Sequence, residues 1–346
     1  MNPDKPSKVR TGEELDAAQL SQFLKTDIVD ITQFPGGFSN LTYLLTTADG
    51  AELVLRRPPY GANIKSGHDM NREFRVLTLL ENSGFRKIPK PLSIEASGAV
   101  LGAPFYVMQR LNGVILRAKD ATNPTLTADK MAFLSEKLIE NLVELHALDI
   151  ETSGLNQLGK PEGYVRRQVE GWTKRYETAA TDDLADMKIA ADWLRDFAPR
   201  TQKPTFLHND YKFDNVVWNT DLTAIIGVLD WEMSTVGDPL MDVGAALGYW
   251  CEPTDGAFTR MFNLSWLAGS PTRQQFAERY AALSGRDVSD IHFYVAFGFF
   301  KNAVILQQIY TRWKHGLTAD ARFEQLIHGV FELAKMARQT IETGKI

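Results

Sequence analysis

The sequence predicts an α+β chain in two lobes: a small antiparallel sheet with a helix, then a larger, mostly helical lobe that carries one short β-hairpin. Three observations predict it. Up to residue 108, apolar residues cluster in short strand-like runs separated by Gly, Pro and Asp turns. Beyond residue 126 most apolar residues fall at helical spacing, interrupted by two short strand-like runs, Asn215–Trp218 and Ala224–Leu229. At 346 residues the chain exceeds what one core usually organises.

Residues 1–12 read as a loose tail and Glu13–Leu24 as a short helix with Leu15, Ala18, Leu20 and Phe23 on its apolar side. Strands are expected at Ile28–Phe34, Leu41–Thr46 and Glu52–Arg56, with Asp49-Gly50 as a hairpin turn between the last two. Gly61–Lys65 reads as a loop. Asp69–Asn82 is a helix, with Met70, Phe74, Leu77 and Leu80 on one face and Gly84 just past its end. Leu92–Glu95 and Pro104–Met108 complete the sheet. Gln109–Gly113 then reads as a hinge, dividing the chain into a lobe at 1–108 and a lobe at 114–346. Helices follow at Leu126–Asp149, Gly163–Ala180 and Asp183–Phe197, and later at Gly244–Trp250, Phe258–Ala268, Arg273–Ser284, Ile291–Trp313 and Arg322–Ile341. Trp172, Tyr176, Trp193 and Phe197 read as core or wall aromatics, and His146 as a structural residue at a helix C-terminus.

Composition narrows the function. The chain is 44% hydrophobic and 23% charged, an ordinary globular balance. A net charge of −5, from 38 basic and 43 acidic residues, argues against a nucleic-acid partner. Cys251 is the single cysteine, so neither an intramolecular disulfide nor a cysteine metal cluster can form, and a reducing compartment is expected. The polar N-terminus lacks a signal-peptide core, the chain does not end in a peroxisomal S-K-L, and no run approaches the roughly 18 apolar residues of a membrane span. A cytoplasmic location without a membrane partner is the expectation. Oligomeric state is not legible.

The chemistry concentrates between Phe206 and Asp242. His208, Asp210 and Asn215 form H-x-D-x-x-x-x-N, and Asp230 follows the second strand-like run. The spacing from Asp210 to Asn215 matches the catalytic loop of phosphoryl transfer, and Asp230 stands where the Asp of D-F-G would stand. Such chemistry needs positioning, charge neutralisation and a base beside the attacking hydroxyl. Asp210 is the candidate base. Asn215 and Asp230 are candidate ligands for Mg²⁺, which takes oxygen donors and completes its shell with phosphate oxygens. Lys212 is placed to offset charge on the transferred group, and His208 to fix the loop. Glu232 reads equally as a further metal contact or as a support to one, while Asp238-Pro239 and Asp242 read as the start of a helix.

The upstream half supplies the nucleotide side. Arg56 ends the third strand, where phosphotransfer sheets carry a phosphate-gripping Lys, and Glu73 on the next helix is its expected ion-pair partner. Gly36–Asn40 could cover phosphates with its backbone N–H groups. Backbone groups of Gln109 and Leu111 could meet an adenine edge.

The stretches GGFSNLTY, VLRRPPYG, MNREFRVL, FYVMQRLNG, HNDYKFDN and GVLDWEMSTVGDPLMD together resemble the aminoglycoside phosphotransferase family, which shares the protein-kinase-like fold with choline kinases. The resemblance covers about residues 28–330, and is greatest to the branch whose animal relatives are joined to acyl-CoA dehydrogenase domains. It implies a bilobal kinase-like fold and an ATP- and Mg²⁺-dependent kinase that acts on a hydroxyl of a small molecule. By position it makes Asp210 the catalytic Asp, Asn215 and Asp230 the metal ligands, Arg56 and Glu73 the phosphate-side pair, and Ser39 and Asn40 part of the nucleotide loop. The branch points to a hydroxyacyl-CoA-like acceptor rather than an aminoglycoside or choline. Two departures stand out: Asn209 replaces the family's usual Gly between His and Asp, where a side chain could alter the loop, and Lys212 is unlike the antibiotic-modifying members. The competing readings are a nucleotide-binding pseudokinase scaffold and, more weakly, metal-dependent phosphoester hydrolysis.

Overall fold

The computed structural model describes residues 5–35, 40–59, 69–318 and 320–346. The expectations placed on Gly36–Ser39 and on the Gly61–Lys65 loop lie outside the described residues. In chain order the strands are β1 Ile28–Gln33, β2 Leu41–Thr47, β3 Glu52–Arg57, β4 Pro91–Glu95, β5 Phe105–Gln109, β6 Thr205–Leu207, β7 Val216–Trp218, β8 Ile225–Val228 and β9 Thr235–Gly237. The α-helices are α1 Ala17–Leu24, α2 Met70–Asn82, α3 Ala128–His146, α4 Tyr164–Ala179, α5 Ala185–Asp196, α6 Pro239–Tyr249, α7 Arg273–Ser284, α8 Ile291–Lys314 and α9 Leu326–Thr343. Among the described residues, no helix is long and apolar enough to cross a membrane.

Contacts divide the chain into two units that do not follow chain order. The first holds Met1–Ile115, Glu151–Leu155 and Val216–Ser234; the second holds Leu116–Ile150, Asn156–Asn215 and Thr235–Ile346.

The first unit is built on an antiparallel sheet of order β1-β2-β3-β5-β4. Leu20 of α1 packs with Ile28, Tyr43, Leu45, Leu55, Phe105 and Val107 on one face. Successive strand residues point to opposite faces, so Arg56, next to Leu55, is turned the other way, toward α2. Helix α2 starts where the Asp69 side chain accepts from the Arg72 N–H and buries Met70, Val76, Leu77 and Leu80. The β7–β8 hairpin joins this unit because the segment after β5 seats on it. Val114 and Trp218 exchange backbone hydrogen bonds at 2.7 and 2.8 Å. Leu111 fills the space above Gly227, where a Cβ would lie 2.1 Å from Leu111 Cδ1.

The second unit is mostly helical, with β6 and β9 paired antiparallel. Its centre is the packing of α6 on α8. Both are buried along much of their length, as the run of apolar residues on all sides of α6 requires. Helix α6 begins at Pro239, where Asp238-Pro239 read as a helix start, and so runs into the period seen from Gly244; Asp238 accepts from the Leu240 N–H. Gly244, Gly248 and Gly298 let the two backbones come into near contact: a Cβ on Gly298 would stand 2.1 Å from the Gly244 carbonyl oxygen.

One expected element is absent. In place of a helix over Phe258–Ala268 there is a single 3-10 turn, Thr259–Phe262. Side chains there compete for the backbone groups a helix would use. Asn263 Oδ1 accepts from the Leu264 N–H at 2.7 Å, the Ser265 hydroxyl bridges the N–H and carbonyl of Cys251, and Glu332 accepts from the Thr259 N–H at 3.0 Å. The short strands β6 and β9 were not anticipated; three residues are too few to show a period.

Gly298→Ala tests the helix seam. Overpacking typically costs about 1–3 kcal/mol, and here the opposing atom is backbone, so a loss at the upper end of that range or beyond is expected in denaturant unfolding. An unchanged midpoint would contradict the close approach.

Candidate active site

Strand β6 delivers His208, Asn209 and Asp210 into a loop that closes with the 3-10 turn Phe213–Asn215 and runs into β7. Asn209 takes the left-handed conformation, φ 64°. This is the conformation a glycine there would adopt freely, and asparagine is among the side-chain-bearing residues that tolerate it best. Its amide packs against a tyrosine, Nδ2 donating to the Tyr164 hydroxyl at 3.0 Å.

The loop backbone is held by side chains from outside it. Asp242, wholly buried in the first turn of α6, accepts from the His208 N–H at 2.6 Å and from the Asn209 N–H at 2.7 Å. His208 Nδ1 accepts from the Asp210 N–H at 3.2 Å. His146 Nε2 lies 3.1 Å from Asp242, and its Nδ1 lies 2.8 Å from the Tyr280 hydroxyl. Burial alone would raise the Asp242 pKa, but His146 and His208 outweigh it and hold the carboxyl below the ordinary carboxylate range. From α8, the buried Lys301 donates from Nζ to the Asn209 carbonyl oxygen. Burial pushes the Lys301 pKa down to about 8, against the attraction of Asp210 and Asp242.

Asp210 Oδ2 accepts from Lys212 Nζ at 2.9 Å and from Asn215 Nδ2 at 2.8 Å; the same Asn215 amide donates to the Asp210 carbonyl oxygen at 2.8 Å. Burial works to raise the Asp210 pKa, but the charges of Lys212 and Lys301 outweigh it and hold the carboxyl below the ordinary carboxylate range. Lys212 Nζ sits 4.5 Å from the centre of the Tyr249 ring, a cation–π contact.

The first unit holds a second cluster. Arg56 Nε lies 3.3 Å from Glu73 Oε2, an ion pair without hydrogen-bond alignment, and Nη2 donates to Asp230 Oδ1 at 3.5 Å. Glu73 is fixed from two further sides: Asn40 Nδ2 donates to Oε1 at 3.0 Å and the Tyr106 hydroxyl to Oε2 at 2.9 Å. Asn40 Nδ2 also approaches Glu232 Oε2 at 3.4 Å. Burial opposes the Arg56 charge, but Glu73, Asp230 and Glu232 keep the guanidinium protonated. Asp230 is a non-glycine residue in the left-handed region, φ 67°, directly after β8.

The structure therefore gathers Asp210, Lys212 and Asn215 in one unit, and Asn40, Arg56, Glu73 and Asp230 in the other. Gln109 ends β5 with its N–H already given to the Lys90 carbonyl at 2.9 Å, which takes that N–H from the groups expected to meet an adenine edge. Leu111 turns its side chain onto Gly227. Ser39 lies outside the described residues. Sequence reasoning missed Tyr106, Tyr164 and Lys301, and gave Asp242 only a helix-start role. The available signal for Lys301 was a lone lysine within an otherwise apolar helix face, between Phe300 and Asn302. Tyr106 is one position from Arg56 across the sheet, in register with it.

Comparison with known proteins places these residues in context. The phosphotransferase enzyme family matches residues 30–279. Acyl-CoA dehydrogenase family member 10 of Mus musculus is 34% identical over 316 residues, which is 89% of this chain and 29% of that protein. Family member 11 of Homo sapiens is 32% identical over 289 residues, 83% of this chain and 36% of that protein. The chain thus spans about a third of the length of these two curated relatives. A solved structure of a putative aminoglycoside phosphotransferase from Ralstonia eutropha JMP134 superposes with TM-score 0.80 at 27% identity, covering 95% of this chain and 99% of that one. The aminoglycoside phosphotransferase APH(4)-Ia, in a ternary complex with AMP-PNP and hygromycin B, gives TM-score 0.60 at 17% identity over 95% and 99% of the two chains, a likeness of fold alone. The fold is the α+β, protein-kinase-like one that the sequence implied.

Asp242→Asn removes the charge that the loop amides and His146 face. A loss of about 3–5 kcal/mol is expected at neutral pH, the range for breaking a buried charge pair. Because the folded-state pKa is depressed, the contribution is complete above the unfolded value of about 3.9 and is lost as pH falls through the lower folded value. Unfolding free energies of the two proteins should converge in acid; a constant difference from pH 7 down to pH 2 would contradict the assignment.

Proposed function

Since the chain belongs to the phosphotransferase enzyme family, we propose that it transfers the terminal phosphoryl group of ATP to a hydroxyl of a small molecule, with Mg²⁺ as the metal. The observation that carries this reading is the Asp210 carboxylate, ionised, with one oxygen fixed by both Lys212 and Asn215. A base for phosphoryl transfer must be charged and held in one orientation before the hydroxyl arrives.

In this scheme the acceptor hydroxyl oxygen forms the new bond to the γ-phosphorus as the bond from that phosphorus to the β–γ bridging oxygen breaks. The hydroxyl proton passes to Asp210, and ADP leaves with the bridging oxygen. Lys212 offsets the charge that accumulates on the transferred group. Asn215 turns its amide nitrogen to Asp210, which makes Oδ1 its ligand oxygen; Asp230 offers a carboxylate. Two oxygen donors, one neutral and one charged, fit Mg²⁺, which when bound would neutralise phosphate charge. Arg56, kept protonated and braced by Glu73, is assigned to the α/β-phosphates in place of the usual lysine, with Asn40 and Tyr106 holding Glu73 in turn. Ser39, Gln109 and Leu111 remain assigned to the nucleotide by position.

For the acceptor, the relatives named as acyl-CoA dehydrogenase family members support a hydroxyacyl-CoA-like compound. Of the two departures that leave a pseudokinase reading open, Asn209 and Arg56, the left-handed Asn209 weighs against it, since a glycine-like φ is kept with a side chain present.

The test is nucleotide consumption with Mg²⁺ against a panel of hydroxyacyl-CoA thioesters, aminoglycosides and choline. Asp210→Asn should lower kcat by about 10²–10⁴-fold while nucleotide binding, measured by calorimetry, persists. If no acceptor raises turnover above the background hydrolysis rate, the kinase reading fails.

A further inference from the structure

We propose that Lys301, in the middle of α8, is a positioning residue for phosphoryl transfer, clamping the peptide group that immediately precedes Asp210. The inference rests on the reading of Asp210 as the base. It is carried by the way that one peptide group is held. The N–H of the 209–210 peptide donates to His208 Nδ1 at 3.2 Å, and its carbonyl oxygen accepts from Lys301 Nζ. The two preceding amides, those of His208 and Asn209, both end on Asp242. Lys301 thus holds the carbonyl end of the peptide group immediately before the base.

The left-handed φ of Asn209 takes the chain off the extended path of β6, and Lys301 meets the 209–210 carbonyl from a neighbouring helix. The position of Lys301 is itself set by packing. It lies three residues after Gly298, on the same face of α8, and Gly298 is the point where α8 touches the backbone of α6. The first turn of α6 carries Asp242. One helix seam therefore fixes both clamps on the loop.

A purely structural role fits poorly. Among the described residues no carboxylate lies within ion-pair distance of Lys301; its direct contacts are the Asn209 carbonyl and the Trp172 ring, 5.7 Å from Nζ. Burying a cation under those terms is unfavourable where a methionine would fill the space. The charged groups around it are Asp210, Asp242, Lys212 and Arg175. The two carboxylates are the base itself and the residue that holds the base's loop.

Lys301→Met keeps the length of the side chain and removes the ammonium. In an enzyme that turns over ATP, kcat is expected to fall about 10–100-fold, the scale of a displaced reacting group, with nucleotide Kd and acceptor KM changed less than about threefold. Lys301→Arg should recover part of the loss. A folded Met variant with unchanged kcat overturns the proposal, as does a loss expressed wholly in KM. If the Met variant does not fold, Lys301→Gln, whose amide nitrogen is neutral and one atom short of the ammonium that holds the Asn209 carbonyl, takes its place under the same criteria. If the wild-type chain turns over no acceptor, the phosphotransfer reading fails separately. The backbone carbonyl resonance of Asn209 and amide resonance of Asp210 then decide: shifts in the Met variant support the clamp, and unmoved resonances overturn it.

Discussion

One buried carboxylate governs the loop on which the proposed chemistry stands. Asp242 has no exposure to solvent, and a charge in such a place must be met by donors or it will not stay ionised. Two consecutive loop amides and a buried histidine meet it. Satisfying Asp242 therefore dictates the path of the chain from β6 through His208 and Asn209. The direction in which Asp210 leaves that path follows. The sequence pattern around Asp210 is necessary for a base, but the orientation is imposed from α6 and α8.

The two clusters differ in how they are assembled. In the second unit, Asp210 is fixed by groups two and five residues away, Lys212 and Asn215, and the wider frame comes from α3, α6 and α8. In the first unit every contact is long-range along the chain. Arg56 comes from a strand, Glu73 from a helix, Asn40 from the start of β2, and Asp230 and Glu232 from beyond the β7–β8 hairpin. The middle of the sheet and a helix must both form before that cluster exists, so its geometry depends on the register of β3 against β5, which sets Arg56 beside Tyr106.

What could be read from the sequence follows this division. The spacing from Asp210 to Asn215 is local, and a short loop can satisfy it only in a few ways. Arg56 was assigned by its position at the end of the third strand, and the structure gives the reason it rather than Arg57 serves: adjacent strand residues face opposite sides, and Arg56 is the one that meets Glu73 of α2. The long amphipathic helices were legible from their period; in α6, apolar on every side, the period was visible only from Gly244, and the start was legible from Asp238-Pro239 instead. Tyr106 and Lys301 were not legible. Each looks like core, one an aromatic in a buried strand and the other a lysine among phenylalanines, and their polar atoms find partners only through tertiary contact. The Phe258–Ala268 segment misled for the opposite reason: its composition suits a helix, but Asn263 takes the Leu264 N–H and Glu332 the Thr259 N–H. Asn209, a departure in sequence, takes a left-handed conformation that a glycine would adopt freely.

The glycine seam between α6 and α8 has a consequence for how the loop can move. Where two helices touch through backbone atoms, there are no side chains to rearrange and no slack for sliding. The amides of His208 and Asn209 are bonded to a residue on one of those helices, and the Asn209 carbonyl to a residue on the other. Exposing those amides to solvent requires parting the helices themselves, an opening close in free energy to loss of the whole second unit. By hydrogen exchange, a segment that would ordinarily count as a surface loop should then behave as core.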